Sequence, residues 1–176
     1  MAHPTLIVVS GPPGSGKTTL AHALAGAVGC PAVCRDEIKE GMAHAAPGFM
    51  PSLGDELTRR TFTTFFEVID LLLRAGATIV AEAAFQDHLW RPRLEQFAAF
   101  ADIRVVECSV DARIARARQA SRDLHSTVRQ ATHVGGWYPA EFTWISLPLA
   151  KLRVDTTHGY TPPLSEILTF VAGPSE

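Results

Sequence analysis

Ten consecutive residues, Ser10-Gly11-Pro12-Pro13-Gly14-Ser15-Gly16-Lys17-Thr18-Thr19, hold the residue types that an anion site needs. They meet the G-x-x-x-x-G-K-S/T (Walker A) spacing at every required position. Gly11, Gly14 and Gly16 let the backbone curl so that its N–H groups point inward, with no Cβ in the way. Lys17 brings a full charge for the β- and γ-phosphates of a nucleoside triphosphate, and Thr18 offers a hydroxyl to Mg²⁺. Pro12, Pro13, Ser15 and Thr19 complete a loop expected to wrap ATP. Such a loop binds phosphate only between a strand and a helix, because the helix N-terminus adds unpaired N–H groups and the positive end of its dipole.

Other residues could act on what the loop holds. Moving a phosphoryl group to a hydroxyl requires a carboxylate that orients the acceptor and takes its proton. Asp36 is the first candidate; it would equally serve as a helix N-cap, and the two roles are compatible. Glu82 is expected either to hold a Mg²⁺-bound water or to contact the substrate, the plainer reading being a carboxylate exposed at a strand end. Arg35 stands beside Asp36 as a further polar group for the substrate. Arg113, Arg116, Arg118 and Arg122 could supply a lid that neutralises charge on the transferred group. Their plainer reading is a solvated helix face. The seven histidines show no ligand spacing, so Mg²⁺ accompanying the nucleotide is the expected metal.

The elements that must position these residues follow from periodicity. Thr5 to Ser10 is an apolar, β-branched run that reads as a buried strand, and Thr18 to Val28 carries Leu20, Leu24 and Val28 at helical spacing. Pro31 to Cys34 reads as a second strand, with Arg35 to Glu40 opening a helix. Residues 46–54 hold Pro47, Gly48, Pro51 and Gly54 and read as a loop. Asp55 to Arg74 is a helix with Phe62, Phe65, Phe66, Ile69, Leu72 and Leu73 on one stripe, stopped by Gly76. A third strand covers 78–84. Asp87 to Ala101 reads as a helix with Leu94, Phe97 and Ala98 inward and Pro92 in its first turn. Ile103 to Cys108 is a fourth strand, and Asp111 caps a helix to about Arg122. Residues 124–139 show no period and read as a loop or mobile segment. Ala150 to Asp155 is a fifth strand, 156–163 a turn, and Leu164 to Val171 a closing helix.

Strands alternating with helices predict an α/β fold: a five-stranded, mostly parallel sheet with helices on both faces. Ligands bind such sheets at the carboxyl ends of the strands, where the loop, Arg35-Asp36, Glu82 and the arginines all fall. The 176 residues read as one domain, with a small lid over about 118–138. Hydrophobic content of 47% and charged content of 19% describe an ordinary globular chain. A net charge of −2 without a basic stripe argues against a polynucleotide partner. Three cysteines without a C-x-x-C spacing read as buried small hydrophobes in a reducing compartment. No signal peptide or membrane-length run is visible, which predicts a cytoplasmic protein.

From Leu6 to about Val171 the chain resembles small P-loop kinases of the nucleoside-monophosphate-kinase-like class. Within that class it is similar to the group of polynucleotide 5′-kinase modules, zeta toxins and chloramphenicol phosphotransferase. The motifs that carry this are residues 11–18, Arg35-Asp36-x-x-Lys39, Ile79-Val80-Ala81-Glu82, Arg118-x-x-x-Arg122 and Val154-Asp155-Thr156-Thr157. The resemblance implies Asp36 as the acceptor-activating carboxylate, Lys39 as a basic residue on a substrate phosphate, and Arg118 or Arg122 as the lid arginine. It also places the segment around Asp155 to Thr157 near the adenine. Three departures bear on the substrate. Glu82-Ala-Ala replaces an Asp-Thr-Asn type of strand end, Lys39 replaces Arg and loses bidentate geometry, and the segment 121–126 lacks a Gly/Pro-rich stretch. The expected reaction is ATP- and Mg²⁺-dependent phosphoryl transfer to a hydroxyl of a small molecule. The alternatives are a polynucleotide 5′-kinase and an ATPase or switch module with no small-molecule acceptor.

Overall fold

The computed structural model describes residues 3–125 and 141–173. Five strands, β1 (Thr5–Ser10), β2 (Ala32–Cys34), β3 (Ile79–Ala83), β4 (Asp102–Ser109) and β5 (Ala150–Asp155), form one sheet in the order β2-β3-β1-β4-β5. All four pairings are parallel. Six helices accompany them among the described residues: α1 (Lys17–Val28), α2 (Arg35–His44), α3 (Glu56–Arg74), α4 (Asp87–Phe97), α5 (Ala112–His125) and α6 (Leu164–Ala172).

β1 lies at the centre and is apolar on both faces because both are covered. Leu6 and Val8 face a core with Phe65, Ile69, Trp90 and Leu94 of α3 and α4. Ile7 and Val9 face the opposite core with Leu20 and Leu24 of α1 and Ile167 and Val171 of α6. The α3 stripe is as the spacing predicts, with Phe65, Phe66, Ile69 and Leu73 buried. Gly76 at φ 82° ends it, and the Ala77 N–H reaches back to the Leu72 carbonyl at 3.0 Å.

Two expectations for α4 need correction. The helix begins at Asp87 and ends at Phe97, so Pro92 lies inside it, in the second turn. A proline there has no N–H for the carbonyl four residues back. The helix stays short, and Ala98, just past its end, is exposed rather than inward.

The start of α3 is held to α2 by a buried cluster. Asp55 caps the helix, accepting the Thr58 N–H at 2.6 Å. Lys39 of α2 donates to Asp55 Oδ2 at 3.2 Å and to Thr58 Oγ1 at 2.9 Å, with 4% and 7% of the Lys39 and Asp55 side chains exposed. Burial by itself would raise the Asp55 carboxyl; hydrogen bonds from Thr58, Ser52 and Lys39 together outweigh it and hold the group at about 2. A carboxyl depressed in the folded state contributes stability that is complete above its unfolded value and lost as pH falls. Thermal unfolding followed from pH 5 to pH 2 should therefore show a falling melting temperature, with a shallower fall in Asp55→Asn. Parallel curves for the two proteins would remove Asp55 from acid unfolding.

Candidate active site

The strand register brings the expected residues to one edge. Val9 of β1 and Cys34 of β2 both pair with Glu82 of β3, so the phosphate loop, the α2 start and Glu82 emerge side by side. The loop itself needs glycine at particular points. Gly14 has φ 80°, and a Cβ there would come within 2.5 Å of the Ala115 carbonyl oxygen of α5. Gly16, at φ 72°, stands directly before α1, whose first turn follows the loop. Ser15 is fully buried, and its Oγ has no hydrogen-bond partner. An orphaned hydroxyl inside a curled glycine loop fits a bound phosphate oxygen.

Lys17 is 8% exposed, and its Nζ lies 3.7 Å from Glu82 Oε1 and 3.5 Å from the Pro12 carbonyl oxygen. Thr18 Oγ1 donates to Glu82 Oε2 at 3.1 Å, which leaves the hydroxyl lone pairs for a hard cation. Glu82 itself is 3% exposed, so the exposed strand-end carboxylate expected as its plainer reading is corrected. β3 is central, between β2 and β1, and covered on both faces. Burial pushes the Glu82 carboxyl up, Lys17 opposes this, and the negative charge of Asp36 adds to it.

Asp36 lies in the first turn of α2 and is not its N-cap; that position is Cys34, whose side chain makes no capping bond. Arg35 Nη1 donates to Asp36 Oδ1 at 2.9 Å, and the Arg35 Nε is buried without a partner. Lys39, engaged by Asp55 and Thr58, faces the α2–α3 contact and not the phosphate loop.

On the other side of the loop, Arg118 donates to the Thr156 carbonyl at 2.7 Å and to the Thr157 carbonyl at 3.1 Å. Its Nη1 would lie 3.6 Å from a Cβ placed on Gly16. Arg113 and Arg116 are exposed. Arg122 lies one turn beyond Arg118 in α5, and the role expected of its guanidinium falls outside the described side chains. Most of the expected lid, including 126–138, likewise lies outside the described residues.

Thr156 is a site residue whose mechanical role the spacing did not show. It is 3% exposed, and its hydroxyl sits 2.7 Å from the Ser15 carbonyl oxygen and 3.1 Å from the Ser109 carbonyl oxygen. This ties the phosphate loop to the ends of β4 and β5. Thr156→Val keeps the shape but takes the hydroxyl donor from the Ser15 carbonyl, while the Ser109 carbonyl keeps the Thr156 N–H at 2.9 Å, so unfolding stability should fall by about 1–3 kcal/mol. The rise in melting temperature caused by ATP should shrink with it. Wild-type stability and an intact ATP response would show that the tie does not hold the loop. Beside Thr156 opens a cleft of about 720 Å³, lined among others by Gly16, Thr19, Ile114, Arg118 and Tyr160. One side of it is the phosphate loop and another is apolar, the combination a nucleotide's base and sugar require.

This geometry agrees with what the chain resembles. A family model described as an AAA domain matches residues 6–135, most of the chain. The chain belongs to that family. Among solved structures, a kinase candidate from Chloroflexus aurantiacus J-10-fl superposes on this AAA domain with a TM-score of 0.84 at 23% identity, covering 97% of this chain and 98% of that one. A sugar kinase from Janibacter sp. HTCC2649 gives 0.62 at 18% identity, over 96% and 95%. The Mycobacterium tuberculosis APS kinase, solved with AMPPNP and APS, gives 0.67 at 14% identity, over 98% and 100%. A search of curated proteins finds no match. At these identities the likeness establishes the fold alone for this AAA domain, a parallel α/β sheet flanked by helices. Among its described residues, no helix is long and apolar enough to cross a membrane.

Proposed function

We propose that the protein is a P-loop kinase that moves the γ-phosphate of ATP to a hydroxyl of a small molecule, with Mg²⁺ as the metal. The observation that carries this reading is the pair of contacts at Glu82: the carboxylate lies 3.7 Å from the Lys17 ammonium and accepts the Thr18 hydroxyl at 3.1 Å. A transferase needs a carboxylate at the acceptor hydroxyl, and we assign that role to Asp36, in the first turn of α2.

ATP with Mg²⁺ supplies the activated phosphoryl group and the charge that neutralises it. Lys17, the buried loop amides and Ser15 Oγ hold the phosphates through residues 11–19. Thr18 presents its oxygen to the metal while donating its proton to Glu82, which fixes the direction of the hydroxyl lone pairs. Asp36 orients the acceptor hydroxyl and accepts its proton as transfer proceeds. Arg35, fixed against Asp36, offers its remaining N–H groups to a polar or anionic part of the acceptor. Arg118, held by Thr156 and Thr157 next to Gly16, faces the phosphates from the α5 side and counters charge there. Three free cysteines suit a reducing compartment, and we read the protein as cytoplasmic.

A sugar kinase and an APS kinase among the structural neighbours support a small acceptor rather than a polymer. The test is the Mg²⁺ dependence of ATP binding. Glu82→Gln keeps the size of the side chain but loses the charge that orients Thr18. About 10–100-fold more Mg²⁺ should then be needed for the same ATP-induced melting shift, the usual effect of losing a group that orients a metal ligand. An unchanged Mg²⁺ requirement would leave Glu82 as a substrate contact instead.

A further inference from the structure

The sequence spacing of the histidines gives no metal site, but the fold brings one of them to a cysteine. His22 of α1 has its Nε2 2.6 Å from Glu37 Oε1, in the first turn of α2, and 3.8 Å from Cys34 Sγ, at the end of β2. One ligand atom from each residue lies within 4.8 Å of the others. His22 and Glu37 are half exposed, while Cys34 is buried beneath them. A surface His–Glu pair would be ordinary by itself. A buried sulfur aimed at the same imidazole nitrogen gives the pair a third donor and a different chemistry.

We propose that His22, Cys34 and Glu37 form a binding site for one soft divalent cation of the zinc class, separate from the Mg²⁺ expected at the phosphate loop. Bonds of about 2.0–2.3 Å at tetrahedral angles place ligand atoms about 3.3–3.7 Å apart. The 3.8 Å sulfur–nitrogen distance is already close to this, and the 2.6 Å nitrogen–oxygen distance opens by rotation of exposed side chains. Thiolate, imidazole and carboxylate select zinc or cobalt, whereas the all-oxygen donors at Thr18 and Glu82 select Mg²⁺. On binding, Cys34 gives its proton to solvent, its sulfur and the His22 nitrogen each donate a lone pair, and water fills the fourth position. The cation would tie α1 to the start of α2, two residues from Asp36.

Cobalt reports the site directly, independently of any phosphoryl transfer. Titration of the full chain with Co²⁺ should give a thiolate-to-metal absorption band that saturates at one ion per chain. Zn²⁺ should abolish the band, and excess Mg²⁺ should not. Cys34→Ala should eliminate it and Cys30→Ser should retain it. His22→Ala, at a half-exposed position that does not threaten the fold, should weaken cobalt binding at least tenfold. No band in the wild type, a band that survives Cys34→Ala, or equal affinity in His22→Ala would each overturn the proposal.

Discussion

Asp36→Asn should bind ATP as the wild type does and transfer phosphate about 10²–10⁴-fold more slowly, the usual contribution of a general base. Cys34 holds the N-cap position of α2, so capping does not depend on Asp36. Asp36 accepts a hydrogen bond from the neighbouring Arg35 at 2.9 Å. Asn preserves the size and the hydrogen bond from Arg35 while losing the charge that takes a proton. Steady-state transfer measured beside ATP affinity separates the outcomes. Joint loss of ATP binding and activity would point to a structural or metal role, and full activity would move the base to Glu82.

Lys17→Ala carries the second large effect. A ligand that binds only the folded state stabilises it by about 2.7 kcal/mol at 100 times its Kd, equivalent to several degrees in a chain of this size. Lys17 is the buried cation at the loop, and without it the ATP-induced shift should largely disappear. The variant also leaves Glu82 buried without its cation, so the ligand-free melting temperature should drop as well. The response to ATP within each protein is thus the quantity to compare. Equal responses in Lys17→Ala and wild type would place nucleotide binding elsewhere.

The phosphate loop and the elements flanking it were legible because their signals are local. A glycine spacing, an apolar strand run and an alanine-rich helix need no knowledge of distant residues, and β1, α1 and the α3 stripe appear as their periodicity predicts. Glu82 was legible as a strand end but not as a buried group. Its burial follows from β3 lying between β2 and β1, a sheet order that depends on pairings dozens of residues apart. Lys39 illustrates the opposite failure. Its spacing from Asp36 matches a family motif, while its actual partner, Asp55, lies across a loop and on another helix. Thr156 and the His22–Cys34–Glu37 cluster depend on contacts between elements far apart in the chain or on side-chain direction, which composition and periodicity do not carry. The start of α4 at Asp87 was legible, and Pro92, five residues beyond it, belongs to the second turn by the 3.6-residue period alone.

The most direct measurement is the fate of the γ-phosphate. Wild-type protein is incubated with Mg²⁺ and ATP labelled at that position, alone and with a panel of sugars, sugar acids, nucleosides and short oligonucleotides. A phosphotransferase for small hydroxyl compounds predicts background turnover without acceptor, and label recovered in an ester of one small compound. That transfer should be lost in Lys17→Ala and in Asp36→Asn. Steady release of inorganic phosphate regardless of acceptor, or label recovered only at the 5′ end of an oligonucleotide, would contradict it.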